Sequence, residues 1–363
     1  MAAPEENDSS RAGLGTLRTR LRGRRGAKAD GARELAQIEQ LVRRNREERS
    51  RERERELLRL RHRAGAKLVR SPGGTPSDAS RSFPPTDEEG LAVADPAELD
   101  GALVRGGIRE HGYVLIRGLI ERDEALRLAD QVEATFQARS GNSEEAGEGL
   151  YEEFVPDPPY PPIAGRGWTL AGGGVFTADS PAVLFEMLDT FERIGLRDVI
   201  GEYLDEPITL SVEKCTLRRA EPGPPGGWHQ DGSFMGDTRA LNVWVSLSDC
   251  GRDAPGLDFV PRRIEELVET GGSGSGVEHI EAPEGDDEVR VKTVLVGSPA
   301  VEAVAGEAGV MRPRFQPGDV MLFDDRFLHR TAADPEMPNP RYAIESWFFG
   351  ASGFPRDYVP LAF

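Results

Sequence analysis

Residues 240–250 read ALNVWVSLSDC, and this stretch decides the fold. Its apolar and polar side chains alternate, so that Leu241 and Val243 point to one face of an extended strand. Asn242 and Trp244 point to the other face. This alternation is typical of a strand with one face packed in the hydrophobic core and the other lining a polar cavity.

Strand-like runs of this kind continue to the end of the sequence and are separated by turn residues. They are TLSVEKCTLRR at 209–219, LDFVP at 257–261, VMRPRF at 310–315, DVMLFDD at 319–325 and RYAIESWFF at 341–349. Before them, a short β-run at 113–116 is followed by helical periodicity at 121–138 and at 181–203. We therefore predict an α+β fold with a mainly β core, a double-stranded β-helix (jelly roll, cupin-like) flanked by helices.

The N-terminal part of the chain differs from the rest in composition. Arginine is abundant from Arg11 to Lys67, although the 363 residues together carry a formal net charge of −18. Only short apolar stripes occur there, so we predict a charged, basic arm over 1–70, helical or disordered and exposed rather than part of the core. Binding of a partner or of nucleic acid by this arm is the alternative, which its interspersed glutamates weaken. Residues 71–89 are rich in Pro, Gly, Ser and Asp and predict a linker, with a jelly-roll domain over 90–363.

The composition argues against several classes of protein. No stretch approaches the roughly 20 apolar residues of a membrane span. The first residues, MAAPEENDSS, are acidic where a signal peptide needs a basic start, so we expect a cytoplasmic protein. The negative net charge argues against broad contact with nucleic acid or an anionic membrane. The two cysteines, Cys215 and Cys250, are expected to be small buried apolar residues rather than a disulfide or zinc ligands.

A possible metal site lies in WHQDG at 228–232. His229 and Asp231 are two residues apart, so in an extended backbone both side chains point to the same face. A His-x-Asp pair is a weak signal by itself, but His329 in a later strand-like run provides a third ligand. Two imidazoles and one carboxylate on one face of an octahedron leave three positions open, an arrangement that suits iron(II) enzymes that use dioxygen.

The surroundings of the distal histidine strengthen this interpretation. Gln316 to Asp319 (QPGD) predict a tight turn before the apolar strand that leads to His329. Thr331 shares a strand face with His329. Arg341 follows in the next strand, where the small Ala343 on the same face leaves room for a cofactor. The alternative for the arginine is a structural salt bridge.

The other histidines have less informative surroundings. His62 falls in the charged arm, His111 in a polar segment that predicts a turn, and His279 in a stretch rich in Gly and Ser. We expect all three to be solvated.

Four segments in this order resemble the phytanoyl-CoA dioxygenase-like family, whose members are iron(II)/2-oxoglutarate oxygenases. They are WHQDGSF at 228–234, ALNVWVSLSDCGRDAPGLDFVPRR at 240–263, FQPGDVMLFDDRFLHRT at 315–331 and PRYAIESWFF at 340–349. The resemblance covers the chain from about Gly90 onwards and does not include the basic arm. It implies that His229, Asp231 and His329 bind iron. Family members that halogenate lack the carboxylate, so Asp231 favours hydroxylation or a related oxidation over halogenation.

The resemblance also implies residues that bind the co-substrate. Arg341 matches the arginine that pairs with the far carboxylate of 2-oxoglutarate, a role that suits a guanidinium fork. Thr331 matches the hydroxyl residue that donates a hydrogen bond to the same carboxylate. Lys214 and Trp244 resemble positions near the co-substrate, and Asn242 is a further candidate on the cavity face. The spacing from the distal histidine to the arginine is slightly longer than is usual in the family.

The sequence therefore predicts an oxygenase that uses iron(II), 2-oxoglutarate and dioxygen to hydroxylate a small molecule, with release of succinate and carbon dioxide. A metal-dependent jelly-roll enzyme that does not use 2-oxoglutarate, or a non-catalytic binding protein of the same fold, remain the alternatives. The segment from Tyr151 to Phe176 is a candidate lid, with an ordinary packed loop as the alternative. Arg218 and Arg239 could meet an anionic substrate or lie on the surface. The identity of the substrate and the oligomeric state are not indicated.

Overall fold

The computed structural model describes residues 34–70, 78–141, 150–236, 238–272 and 294–363, and the statements below concern those residues. The helices are α1 at 34–47, α2 (Arg51–Leu68), α3 (Gly101–His111), α4 (Arg122–Arg139), α5 (Arg166–Ala171), α6 (Pro181–Arg193), α7 (Leu196–Leu204), α8 (Gly232–Met235) and α9 (Ser298–Ala305). None of the described helices has the length and apolar character needed to cross a bilayer.

The described strands form two antiparallel sheets. The strands are β1 (Tyr113–Ile116), β2 (Gly174–Phe176), β3 (Ile208–Ala220), β4 (Trp228–His229), β5 (Ala240–Ser246), β6 (Gly256–Phe259), β7 (Leu295–Val296), β8 (Val320–Phe323), β9 (His329–Ala332), β10 (Arg341–Gly350) and β11 (Pro360–Ala362). The larger sheet has the order β1-β8-β5-β10-β3-β11, with β2 also paired to β3. The smaller sheet has the order β6-β9-β4-β7.

The inner faces of the two sheets pack against each other. The rings of Tyr113 in β1 and Phe259 in β6 lie 4.8 Å apart in an edge-to-face arrangement. In β5, Leu241 and Val243 are buried on the outer side of the larger sheet, and Trp244 faces the space between the sheets. The predicted α+β fold with a jelly-roll core is therefore confirmed. Because side chains alternate along β5, its apolar residues lie on one face of the strand and Trp244 lies on the face that lines the cavity.

The run that leads to the distal histidine forms two strands in different sheets rather than one. The predicted turn before it is present, because Gly318 has a φ of 95° and the Asp319 N–H donates to the Gln316 carbonyl at 3.1 Å. Strand β8 then ends at Phe323 in the larger sheet, and β9 begins at His329 in the smaller sheet. The chain passes from the larger sheet to the smaller sheet between these two strands. His329 therefore lies on the smaller sheet and faces the larger sheet across the space between them.

Two local predictions need correction. The helical pattern at 181–203 forms two helices, α6 and α7, because Gly195 between them has a φ of 77°, a conformation that interrupts a right-handed helix. The VMRPRF run forms no strand and contributes isolated bridges at Met311 and Phe315 only. Pro313 between those two residues has no N–H to donate to a ladder.

Helix α2 of the basic arm belongs to the core, so the prediction of a solvent-exposed helix is wrong for these residues. Helix α2 packs against β11, and its Leu57 and Leu60 are only 0% and 2% exposed. The ring Nδ1 of His62 hydrogen-bonds the Pro360 carbonyl at 3.1 Å, so this histidine is buried rather than solvated. At Gly65, a Cβ atom would lie 2.9 Å from the same carbonyl, so the close approach of helix to strand requires glycine.

The remaining histidines and the cysteines have different outcomes. His111 is the last residue of α3, half-buried with its ring 5.6 Å from that of Phe83, and does not lie in a turn. His279 lies outside the described residues. Cys215 and Cys250 are both free and buried, as predicted.

Candidate metal centre

Three side chains with metal-binding atoms meet between the sheets. His229 at the end of β4 and His329 at the start of β9 are direct register partners, with ring centroids 4.5 Å apart. One ligand atom from each of these histidines and one from Asp231 all lie within 4.8 Å of one another. The three residues that the sequence singled out are therefore brought together in space.

Asp231 reaches this cluster from a helical turn and not from an extended strand. Strand β4 ends at His229, and Asp231 has φ −63° and ψ −23°, immediately before the short helix α8. The next residue packs closely against a distant segment, because the Gly232 N–H donates to the Asp325 carbonyl at 2.9 Å. A Cβ atom at Gly232 would lie 2.7 Å from the Asp325 carboxylate and 3.1 Å from its carbonyl oxygen, so a larger residue would need Asp325 to shift. The prediction that His229 and Asp231 share one face of an extended strand is wrong. The carboxylate of Asp231 nevertheless reaches the cluster, because the chain turns between the two residues.

Hydrogen bonds to the backbone orient both imidazole rings. Nδ1 of His229 lies 3.0 Å from the Gly227 carbonyl oxygen, and Nδ1 of His329 lies 3.0 Å from the Phe327 carbonyl oxygen. A carbonyl can only accept, so Nδ1 carries the proton and Nε2 keeps its lone pair for a metal. Burial, and then the neighbouring His229, lower the pKa of His329 to about 4. This ring is therefore neutral at neutral pH, the form that binds metals.

The two oxygens of Asp231 differ in their partners. The Lys214 ammonium lies 3.2 Å from Oδ1, whereas Oδ2 is buried without a hydrogen bond and lies 3.7 Å from Nε2 of His329. Burial alone would raise the pKa of Asp231, but the charges of Lys214 and then of the two histidines lower it below its ordinary value. Burial alone would lower the pKa of Lys214, but Asp231, together with Tyr358 and Glu345, outweighs burial and the pKa is raised. A buried carboxylate oxygen without a donor fits a metal ligand.

A buried cation lies in the same cavity as the two histidines. Arg341 is 1% exposed, and its Nη1 donates to the Gly256 carbonyl at 3.0 Å while Nε has no partner. Among the described residues, no carboxylate lies within ion-pair distance of it. Burial lowers the pKa of Arg341 to about 10, so the group stays charged at neutral pH. A buried charge without a counter-ion is costly, so this geometry fits an anionic ligand better than the alternative of a structural salt bridge.

The cavity between the sheets collects most of the other predicted residues. It is lined by Arg218, His229, Trp244, Leu257, Phe323, His329, Thr331, Arg341 and Glu345. The Trp244 ring centroid lies 5.7 Å from the Arg341 guanidinium. Asn242 is fully buried in β5, and neither polar atom of its side chain has a partner. Lys214 and Asn242 are not among the lining residues; Lys214 reaches the cluster through Asp231.

Other predicted substrate residues are divided between two places. Arg218 lines the metal cavity, whereas Arg239 lines a separate cavity of about 310 Å³. The candidate lid contributes no residue to the lining of the metal cavity, and its Arg166 bonds to Asp179 at 2.8 Å, as in an ordinary packed loop. Glu345 was missed by sequence analysis, although its strand parity with Arg341 was a usable signal.

Comparisons with known proteins give structural likenesses of low identity. No family model matches the chain, and no curated protein matches it. Among solved structures, EctD from S. alaskensis with 2-oxoglutarate and 5-hydroxyectoine is 17% identical, with 76% of this chain and 84% of that chain covered and a TM-score of 0.45. The epimerase SnoN in complex with Fe3+, alpha ketoglutarate and nogalamycin RO is 16% identical, with 70% and 84% covered and a TM-score of 0.42. AviO1 from Streptomyces viridochromogenes Tue57 is 17% identical, with 71% and 98% covered and a TM-score of 0.42.

Proposed function

We propose that this chain is a non-haem iron(II)/2-oxoglutarate-dependent oxygenase that hydroxylates a small molecule. The observation that carries the proposal is the buried, unpaired Arg341 in the same cavity as the cluster of His229, Asp231 and His329. A metal cluster alone fits many enzymes. A metal cluster that faces an unpaired cation fits 2-oxoglutarate, which has a keto acid for the metal and a second carboxylate for the arginine.

The protein's part in binding iron is to fix the three ligands. His229 and His329 offer Nε2 because their Nδ1 atoms are engaged by the backbone. Lys214 holds one oxygen of Asp231 and leaves the other for the metal. We assign Lys214 this orienting role rather than the direct contact with 2-oxoglutarate implied by the family resemblance. Partners of this kind set ring orientation and ligand basicity.

Both sheets provide groups for the co-substrate, Arg341 from β10 of the larger sheet and Thr331 from β9 of the smaller sheet. Arg341 donates to the far carboxylate of 2-oxoglutarate, and Thr331 donates its hydroxyl hydrogen to the same group. Trp244 packs beside the guanidinium and keeps water from it. Asn242 has an amide without a partner on the same face of β5 as Trp244, but it does not line this cavity, so we assign it no direct contact with the co-substrate.

Bound iron(II) would activate dioxygen, which is the oxidant, and 2-oxoglutarate would supply two of the electrons that reduce it and leave as succinate and carbon dioxide. The chain supplies orientation and a cavity screened from water. Asp231 occupies the third protein position on the metal, which favours hydroxylation over transfer of a halide. We propose that the catalytic unit comprises the predicted domain at 90–363 together with α2, because that helix packs against β11.

Calorimetric titration of 2-oxoglutarate into anaerobic protein loaded with Mn(II), which takes the place of iron without oxidation, tests the proposal. Arg341→Met should weaken binding by roughly 30-fold or more, since a buried charged contact is worth about 2–5 kcal/mol. Arg219→Met is the matched control, because Arg219 lies next to Arg218 in β3 but pairs with Glu133 and Glu221.

Each failure of this titration points to a different alternative. Protein that binds Mn(II) but not 2-oxoglutarate would support a metal-dependent jelly-roll enzyme of another type. Protein that binds no metal would support a non-catalytic binding protein. Equal affinity in wild type and in Arg341→Met would remove Arg341 from the site.

A further inference from the structure

Two charged side chains in the metal cavity are used neither by the metal nor by the co-substrate. Arg218 and Glu345 line the cavity and are 23% and 24% exposed. Their closest atoms, Arg218 Nε and Glu345 Oε2, are 3.9 Å apart. Within the part of the chain that the structure describes, neither side chain forms a hydrogen bond.

Their positions follow from strand register. Arg218 in β3 is opposite Ala343 in β10, and Glu345 is two residues further along β10 on the same face. Diagonal neighbours of this kind are within reach of long side chains. The small Ala343 leaves the space between them open. On the other side, a Cβ atom at Gly174 would lie 3.0 Å from Nη1 of Arg218, so the glycine allows the guanidinium to lie where it does.

The two side chains form a loose ion pair without a direct hydrogen bond. Arg166 and Asp179 bond directly at 2.8 Å, whereas separations of 3.7–4.0 Å also occur elsewhere in the structure. A guanidinium and a carboxylate that are free to meet usually bond at about 2.7–2.9 Å. Arg218 and Glu345 therefore keep charge-assisted donors and acceptors available to a ligand beside the metal.

We propose that Arg218 and Glu345 recognise the substrate as a zwitterion, with Arg218 binding a carboxylate and Glu345 an ammonium group. This inference rests on the proposed function. An α-amino acid carries both groups on one carbon, about 3 Å apart, which matches two protein groups that are separated by 3.9 Å. A molecule whose two charges lie far apart cannot reach both. The substrate class is therefore an α-amino acid with both groups free.

The absorption band of the anaerobic complex with Fe(II) and 2-oxoglutarate provides the test. Each of the twenty proteinogenic amino acids is titrated separately into this complex, with 5-aminopentanoate as the zwitterion of wide charge separation. We expect at least one α-amino acid, and not 5-aminopentanoate, to shift the band. For that amino acid, Arg218→Met and Glu345→Gln should each weaken binding about tenfold or more, whereas Arg219→Met should not.

Blocked ligands separate the two roles. The N-acetyl derivative should bind weakly and be insensitive to Glu345→Gln, and the methyl ester should bind weakly and be insensitive to Arg218→Met. Formation of the band with Fe(II) and 2-oxoglutarate, before any amino acid is added, shows that each variant is folded and loaded.

Failure of the inference differs from failure of the proposed function. If no band forms in wild type, the proposed function is wrong. If the band forms but none of the amino acids shifts it, the inference is wrong. It is also overturned if Arg218→Met weakens binding of 2-oxoglutarate instead of the amino acid.

Discussion

The two sheets contribute to the candidate site in different ways. In the larger sheet, Trp244 and Arg341 lie on strands of 7 and 10 residues, which pair with each other along a long ladder. In the smaller sheet, the two strands that carry His229 and His329 have two and four residues and share a single register pair. Two of the proposed co-substrate groups, Trp244 and Arg341, therefore lie on the larger sheet. Thr331 and the two candidate histidine ligands lie on short strands that the backbone ladder alone holds weakly.

Side chains on the outer face of the smaller sheet compensate for its short ladder. Asp258 in β6 is buried and accepts from Arg312 at 2.6 Å and from Arg330 at 2.9 Å. The Arg330 guanidinium also lies 4.7 Å from the ring centroid of Trp228. Trp228 and Arg330 each adjoin a metal ligand in sequence, so this cluster links β6, β9 and β4 from outside. The comparison indicates that metal affinity and global stability depend on different side chains.

The largest effect is expected from removing a ligand on the smaller sheet. His229→Ala and His329→Ala should each weaken metal binding more than about 100-fold, because loss of even a ligand's hydrogen-bonding partner costs 10–100-fold. Metal content after anaerobic loading measures this, with the melting temperature of the metal-free protein as the control. A variant that retains one equivalent of iron would show that its histidine is not a ligand.

The second-largest effect is expected on the stability of the fold, from a substitution in α2, the helix that packs against β11 of the larger sheet. Leu57→Ala in α2 should lower the free energy of unfolding by about 2–5 kcal/mol, because it leaves a cavity in the core. Urea denaturation measures the loss, and the folded variant should bind metal as wild type does. Leu35→Ala is the control, since Leu35 is 40% exposed. A loss below about 1 kcal/mol would contradict the assignment of α2 to the core.

A substitution at Arg330, on the outer face of the smaller sheet, should weaken metal binding and leave stability almost unchanged, the reverse of Leu57→Ala. Arg330→Met should weaken metal binding about 10-fold and change the melting temperature little, because Arg312 still neutralises Asp258. Arg312→Met is the matched control, because it removes a contact to the same carboxylate from a segment that carries no ligand. Equal losses of metal affinity in both variants would contradict the claim that Arg330 supports the metal ligands of the smaller sheet.

The smallest effect is a dependence of stability on pH in the larger sheet. Burial raises the pKa of Glu213 in β3 to about 7, above its ordinary value of 4.5. The folded state therefore holds a proton that the unfolded chain releases, and this contribution to stability is lost as the pH rises from about 4.5 through about 7. Glu213→Gln should reduce the fall in melting temperature between pH 5 and pH 8 by about 2–4 °C. An unchanged pH profile in the variant would contradict the raised pKa.

Much of the larger sheet and of the site could be predicted because strand parity is a local property. The alternation in β5 indicated that Asn242 and Trp244 lie on the opposite face from Leu241, and Thr331 was expected on the same face as His329. Both statements depend only on the period of an extended strand. They agree with the structure, where Trp244, Thr331 and His329 line one cavity.

The features that were missed depend on contacts distant in sequence. Helix α2 seemed exposed because its leucine stripe is short and its partner β11 lies about 300 residues later. The helical turn at Asp231 depends on the approach of Gly232 to Asp325, which no local pattern reveals. The loose pairing of Arg218 with Glu345 is visible only when β3 and β10 are in register.

The central claim is that the cavity holds iron(II) and 2-oxoglutarate together, and the visible absorption spectrum of anaerobic protein tests it most directly. Addition of both Fe(II) and 2-oxoglutarate should produce a charge-transfer band that neither produces alone. The band should be absent in His329→Ala and should need more 2-oxoglutarate in Arg341→Met. Absence of a band in wild-type protein that has bound iron would contradict the account.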